Sequence, residues 1–346
     1  MNIKIKSKNY TVVETGKGGR EGEIYTILNF DDSKAVKIYE EEKRTPQTQR
    51  KVSAFINKFR NINLGGVEKF VAYPELQIYD SETRQYLGFL MKYFNNHLPF
   101  FQNSYDLNQK SFKNTSIDDD IAEGIISTLF AYLEVLHKAG IILGDINPEN
   151  ILLVENFMPA IVDFDSAQLG TFYSSMHRIK YIDPSVRIDG VGRNKHFVYT
   201  IDSDIYAMAI VCYEFIIGIH PYFFQTTVAT DTDYKKRNGI CFIDFLENNK
   251  EKTNEFDFDI VKNPAFEATK ERLNEINTYK PDLYNFFKMI FSNDERYYFG
   301  KIRFYINKRK IVDEHDNLNI ELLPQSKEDP VELEVFMNQF NIKFEL

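Results

Sequence analysis

The sequence predicts an α+β chain of two lobes, a β-rich amino-terminal lobe and a mainly helical second lobe, followed by a short β-containing appendage. Three observations carry this reading. Up to about residue 92 the apolar residues fall in short strand-like runs separated by Gly, Asp and Ser. From Ser116 they recur at helical spacing, and after Arg296 the alternation returns. The boundaries drawn are 1–92, 93–296 and 297–346. At ~150 residues per domain, 346 residues suit about two globular units.

The predicted strands of the first lobe cover 10–13, 22–28, 34–39, 74–79 and 86–91. One helix interrupts them. Thr45-Pro46 supplies a cap and a first turn, and Val52, Phe55, Ile56 and Phe59 then recur at helical spacing to about Arg60. Residues 94–115 form a polar, Asn-rich connection. Ile121, Ile125, Leu129, Leu133 and Leu136 mark the next helix, opened by an acidic turn and closed by Gly140. The segment 204–217 is apolar nearly all round, as a buried central helix should be. Weaker helices are predicted near 242–249, 264–277 and 281–292, and appendage strands at 301–306, 318–323 and 341–346.

Composition excludes several classes. With 43% apolar residues, 30 Phe and 21 Tyr, the chain is not globally disordered. A net charge of −9 offers no basic field for nucleic acid or anionic lipid. Two cysteines, Cys212 and Cys241, are too few for a disulfide framework or a Cys-based zinc site. No secretory signal is readable, and the longest apolar stretch, 207–219, contains Glu214 and is too short for a bilayer. The expectation is a cytoplasmic chain without membrane or nucleic-acid partners.

The densest chemical signal is Gly144-Asp145-Ile-Asn147-Pro-Glu-Asn150, followed by Asp163-Phe164-Asp165, each bracketed by apolar strand-like residues. Upstream, Gly16-Lys-Gly18-Gly19-Arg-Glu-Gly22 lies between two predicted strands, where backbone amides without side chains can cover phosphates. Lys37 follows, ending Ala35-Val36-Lys37. Downstream come Tyr181-Ile-Asp-Pro184 and the apolar helix from Asp204 to Gly218-Ile-His-Pro-Tyr222.

In this order and spacing, from residue ~10 to ~295, the motifs resemble those of eukaryotic-like (Hanks-type) protein kinases. The Gly-Asp-x-Asn-Pro loop and Asp-x-Asp-Ser segment are similar to a bacterial branch often encoded in tellurite-resistance-like stress operons. The resemblance implies a two-lobed kinase fold and ATP- and Mg2+-dependent transfer of a phosphoryl group to a Ser or Thr hydroxyl of a protein substrate. It also implies a PP2C-type phosphatase and a von Willebrand A domain protein as partners. Asp145 would take the hydroxyl, Asn150 and Asp163 the metal, and Lys37 the α- and β-phosphates. Asn147 would hydrogen-bond the γ-phosphate. Gly18, Gly19 and Gly22 would cover phosphate, Ile24, Ala35 and Leu152 would sandwich adenine, and Lys92 and Tyr93 would lie at the hinge.

The chain departs from the family pattern at several positions. The Gly-rich loop carries one residue more than usual. The helix 46–60 has no acid to pair with Lys37, which leaves Glu68 or an acid of the 40–42 run as alternatives. Leu143 and Gly144 replace His and Arg, which weakens the case for switching by a phosphorylated loop. Asn147 replaces a Lys, Ser185 replaces the Glu that would pair with Arg296, and Asp165 replaces a Gly, which implies a stiffer hinge. Two rivals follow: a pseudokinase that holds nucleotide without turnover, and a small-molecule kinase of the aminoglycoside or choline type. Plainer readings stand beside the sharp ones. Asp-x-Asn-Pro favours turns, the glycines suit a hairpin, Cys212 suits a core, His137 a helix terminus and His220 a structural turn. Thr171, Tyr173, Ser174 and Ser175 are candidate phosphosites in the loop before Tyr181.

Overall fold

The computed structural model describes residues 1–19, 21–174, 178–190, 196–224, 236, 239–247 and 264–291. Six strands form a closed barrel: β1 (Asn2–Ile5), β2 (Lys8–Gly19), β3 (Gly22–Ile27), β4 (Lys34–Tyr39), β5 (Leu76–Asp80) and β6 (Tyr86–Lys92), in the order β1-β2-β3-β4-β6-β5. Closure comes from β1, whose Ile3 and Lys4 pair with Asp80 and Tyr79 of β5. The Ile/Lys alternation at the amino terminus is therefore a barrel strand. Ile3 and Ile5 point into a core with Val12, Ile27, Val36, Ile78 and Leu90.

Helix α1 (Pro46–Arg60) begins where the sequence predicts, with the Thr45 hydroxyl accepting from the Thr48 N–H at 3.1 Å. Its buried face carries Val52, Phe55, Ile56 and Phe59. The Gly-rich segment carries a bulge between Glu14 and Lys17, with Gly16 at φ +68°. Below the bulge the hairpin stays in register through Gly18↔Glu23 and Gly19↔Gly22.

The second lobe is built on α2 (Asp119–Lys138) and α3 (Ile201–Ile217), joined in one core by α4 (Phe242–Leu246), α5 (Pro264–Tyr279) and α6 (Pro281–Phe291). Asp118 caps α2 by accepting from Ile121 N–H at 2.8 Å, and Gly140 at φ +75° ends it. Thr200 and Ser203 form a reciprocal cap on α3, whose residues 203–217 are all buried. Edge-on rings close the core: Phe130 on Phe286 at 5.0 Å and Tyr213 on Phe287 at 5.3 Å.

The connection 94–115 is ordered by aromatic anchors despite its polar composition. Short strands β7 (Leu98–Pro99), β8 (Tyr105–Asp106) and β9 (Ser111–Phe112) run through it. Phe100 stacks on Phe215 of α3 at 4.3 Å. Tyr105 lies under the guanidinium of Arg272, at 3.8 Å from its ring centre, while Arg272 also donates to Ile216 O and pairs with Asp119. Three helices and the connection thus meet at one buried arginine.

Short strands position the central loops: β10 (Ile141–Ile142) pairs with β13 (Gln168–Leu169), and β11 (Ile151–Leu153) pairs with β7 and β12 (Pro159–Ile161). Beyond Leu169 a hairpin of β14 (Arg187–Asp189) and β15 (His196–Val198) leads into α3. The predicted strands at 301–306, 318–323 and 341–346, and Arg296, lie outside the described residues.

Gly88 of β6 sits against β4 so closely that a Cβ would fall 1.9 Å from the Lys37 carbonyl oxygen. Gly88→Ala is therefore expected to lower stability by at least about 1–3 kcal/mol, as overpacking does. Urea unfolding measures it, and an unchanged midpoint would contradict the packing.

Candidate functional site

Lys37 lies in the middle of β4, in register with Ile24 and Phe89 on the neighbouring strands, and its side chain is only 7% exposed. An ammonium removed from water needs carboxylates beside it. Both come from the loop after β12. Lys37 Nζ donates to Asp163 and, at 2.9 Å, to Asp165 Oδ1. Burial alone would lower the lysine pKa, but Asp165 and then Asp163 more than offset that and hold it above the usual value. Burial likewise works against the Asp165 anion. Lys37, together with the Tyr39 hydroxyl, overcomes it and keeps that carboxyl below the usual range.

None of the acids offered as alternatives, Glu68 and the 40–42 run, is an ion-pair partner of Lys37. Glu68 accepts from the Gly66 N–H at 3.1 Å, and Glu41 and Glu42 belong to a short helical turn at 41–43. Asp165, which the sequence marks only as a replaced glycine, is the partner that the spacing of acids conceals.

Two aromatic contacts fix this loop against α1. The Phe164 ring meets Phe55 at 5.7 Å and Phe59 at 5.4 Å, both edge-on. Asp163 takes a left-handed conformation at φ 61°, ψ 45°, which turns its side chain out of the strand direction. That side chain stays 34% exposed, whereas Asp165 is 3% exposed.

The loop carrying Asp145 is held from below by Asp204 on α3. One carboxylate accepts the Leu143 N–H at 2.7 Å, the Gly144 N–H at 2.8 Å and a ring nitrogen contact from His137 at 3.0 Å. His137, in the last turn of α2 as the sequence predicts, is also a buried partner of Asp204. Gly144 has φ +74°, and a Cβ there would meet the Tyr199 ring at 2.9 Å. Glycine is required at the position where the family pattern has Arg.

Within the loop, the Asp145 carbonyl accepts from Asn147 Nδ2 at 3.0 Å and Asn150 Nδ2 at 2.9 Å. Asn147 is fully buried, and its Oδ1 accepts the Glu149 N–H at 3.0 Å. Both ends of its amide bond within the loop, so it shapes the turn. Asn150 uses only its amide nitrogen in this way, which orients its oxygen as the acceptor.

Asp145, Asn150 and Asp163 border one small cavity with Asn147 and Ser166, and apolar residues such as Leu143, Ile161 and Met208 make up the rest of its lining. A carboxylate and an amide oxygen are hard donors of the kind Mg2+ accepts, with its other positions left to water and phosphate. The residues present fit that ion. Among the described residues no cluster of three or more His, Cys, Asp or Glu offers another metal site.

The remaining sequence-predicted residues lie outside the lining of this cavity. Gly18 and Gly19 pair with Glu23 and Gly22 in the β2–β3 hairpin. Gly22 has a packing role as well, since a Cβ would lie 2.2 Å from the Ile38 carbonyl oxygen. Ala35 is fully buried opposite Met91, and Ile24 is a partly buried residue packed against the cluster that contains Met91. Leu152, half-buried between Ile151 and Leu153, turns to the face opposite the second-lobe core. Tyr93 N–H donates to Ser33 O at 2.7 Å. Lys92 sends its ammonium to the Lys69 carbonyl at 2.6 Å, so only its main chain is left for a ligand. His220 pins the segment before α3, meeting Lys180 O at 2.9 Å. Tyr173 stacks on His196 and Ser174 is buried, while Ser175 lies outside the described residues.

Comparison with known proteins agrees with this geometry. The sequence pattern of the protein kinase domain matches residues 11–296. A probable serine/threonine-protein kinase PknB of Lactococcus lactis is 28% identical over 138 residues, 37% of this chain and 20% of that protein. A probable serine/threonine-protein kinase of Clostridium perfringens is 25% identical over 159 residues, 43% and 22%. The serine/threonine-protein kinase PDK1 of Cryptococcus neoformans is 32% identical over 140 residues, 36% and 10%. The matches span about a fifth or less of the length of these relatives.

Because one buried carboxylate carries the loop, Asp204→Asn is expected to cost about 2–4 kcal/mol, the loss of charge-assisted bonds. It should also lower turnover while leaving nucleotide affinity within about twofold. Chemical denaturation and nucleotide titration check both, and an unaltered midpoint would contradict the anchoring role.

Proposed function

We propose, from the premise that this chain belongs to the protein kinase family, that it transfers the γ-phosphoryl group of ATP to a Ser or Thr hydroxyl of a protein. The observation that carries this reading is the convergence of Asp145, Asn150 and Asp163 on one cavity beside the paired Lys37.

In this reading the substrate oxygen bonds to the γ-phosphorus as the bond to the bridging oxygen of ADP breaks, and Asp145 orients the hydroxyl and receives its proton. Lys37 holds the α- and β-phosphates. Gly18, Gly19 and Gly22 cover them from the β2–β3 hairpin, and Ile24, Ala35 and Leu152 bracket the adenine near Tyr93. Asn150 and Asp163 would hold Mg2+, which neutralises phosphate charge when bound. Asn147 keeps the loop in shape.

The resemblance of the Gly-Asp-x-Asn-Pro loop supports membership of the bacterial stress-operon branch, with a PP2C-type phosphatase and a von Willebrand A domain protein as proposed partners and the cytoplasm as the proposed compartment. Among the described residues no helix is long and apolar enough to cross a membrane. A second reading, a nucleotide-holding pseudokinase, draws on Asn147, which brings no charge to the γ-phosphate. A small-molecule kinase is disfavoured by the long segment between Asp163 and Asp204, which carries the β14–β15 hairpin.

With labelled ATP, Mg2+ and a generic basic protein, Asp145→Asn is expected to lower transfer by about 10²–10⁴-fold, the range for loss of a general base. Equal signal from both proteins would overturn the enzyme reading. In thermal melts, Lys37→Met should weaken the ATP-induced shift, and Asp163→Ala should abolish its Mg2+ dependence. A shift unchanged by both would remove these residues from the site.

A further inference from the structure

We propose that Lys180 is an internal plug on Glu214: it fills, from the chain itself, a buried carboxylate near the Asp145 loop that would otherwise take a cationic side chain of the protein substrate. The native chain therefore selects no Arg or Lys at that place. The inference deepens the kinase reading and rests on it for what is bound beside the loop.

The carboxylate comes first. Glu214 lies in the last turn of α3, and its side chain is 7% exposed. An anion so removed from water has to be paired. Two consecutive residues do this: Lys180 Nζ donates to Oε1 at 2.5 Å and the Tyr181 hydroxyl donates to Oε2 at 2.8 Å. Burial and then the Glu214 charge hold the Tyr181 hydroxyl above its usual range, so it stays a donor. The two partners approach from different sides. Tyr181 is buried, whereas the Lys180 side chain is 46% exposed and covers Oε1 from solvent. Loss of the lysine side chain alone leaves a charged acceptor open to whatever cation arrives.

The main chain here is fastened independently of that side chain. His220 meets the Lys180 carbonyl at 2.9 Å, and the buried Lys236 donates to the Ile179 carbonyl at 2.8 Å. Unplugging Glu214 therefore leaves the segment in place. Ser185 stands where the family pattern has a Glu and brings no carboxylate, and the segment is tied to α3 through Lys180 and Glu214 instead.

The position is one a substrate passes. Arg178 pairs with Glu149 at 2.6 Å, and the Glu149 N–H is bonded to Asn147 inside the loop that presents Asp145. Lys180 follows Arg178 by two residues, at most about 7 Å of extended chain. A substrate advances about 3.3 Å per residue when extended. With its hydroxyl at Asp145, a side chain within about four residues of that hydroxyl reaches Glu214. The net charge of −9 attracts a basic protein without regard to the position of its charges, so a position scan is needed to see the plug.

The test uses a neutral Ser-containing peptide and a set in which one Arg is moved through the four positions on each side of the Ser. The native chain, Lys180→Ala, Glu214→Gln and the double variant are compared by kcat/KM with ATP and Mg2+, and by peptide Kd from fluorescence anisotropy. In the native chain every Arg peptide is expected within about threefold of the neutral one. In Lys180→Ala one position is expected to gain about tenfold or more, through KM and Kd with little change in kcat, as a close charge pair supplies. The double variant is expected to lose that gain. No gain in Lys180→Ala would overturn the plug. A gain that survives in the double variant would overturn it too, as would a native preference that Glu214→Gln removes.

If the variants at Glu214 fail to fold, Lys180→Arg replaces them. It keeps the cation and must keep the native profile, and an Arg preference appearing in it overturns the proposal. Transfer and binding are read separately. A native chain that phosphorylates none of the peptides sinks the enzyme reading for them, and the Kd scan then decides the plug: a position-specific gain in Lys180→Ala supports it, and its absence overturns it.

Discussion

A lysine ammonium enclosed by a β-barrel and a helix stays charged only if carboxylates are brought to it, and removing that ion from water costs several kcal/mol that geometry must offset. Lys37 meets this requirement with two aspartates from the other lobe. The consequence runs through the structure. The loop after β12 has to reach the barrel, Phe164 has to lock against Phe55 and Phe59, and Gly88 has to let β6 lie close behind Lys37. The two lobes are joined at their charged centre as well as through the chain.

A second constraint works from the opposite side. Asp204 lies in a helix with no exposed face, so its charge must be spent on donors, and the donors are the backbone of the loop that presents Asp145. The loop is thereby referenced to the most rigid element of the molecule. Asn147 and Asn150 then set the loop's internal shape through the Asp145 carbonyl. Two buried carboxylates, one under each half of the cleft, fix groups that would otherwise move independently.

Much of this is legible in the sequence because periodicity and turn chemistry act locally. Thr45-Pro46 and the spacing of Val52, Phe55, Ile56 and Phe59 determine α1 to the residue, and the apolar run before Gly218 marks α3. The triad Asp145, Asn150 and Asp163 stands out because its members sit in short polar motifs between apolar strands. What stays concealed depends on pairing at long range. The barrel closes through β1 and β5, more than seventy residues apart in sequence. Segment 94–115 reads as polar because three anchoring aromatics, Phe100, Tyr105 and Phe112, are spread among many polar neighbours. Sequence directs the search for a Lys37 partner to α1 and nearby acids, and Asp165 lies 128 positions away. The residue type of Asn147 permits a hydrogen bond to phosphate, and its bonds within the loop depend on a turn geometry that residue type alone does not give.

The most direct measurement of the central claim is a crystal structure with a non-hydrolysable ATP analogue and Mg2+. The account predicts Lys37 Nζ between Asp165 and the phosphates, with Asn150 and Asp163 on the metal side of the same cleft. A nucleotide bound elsewhere, or Lys37 turned away from Asp165, would contradict it.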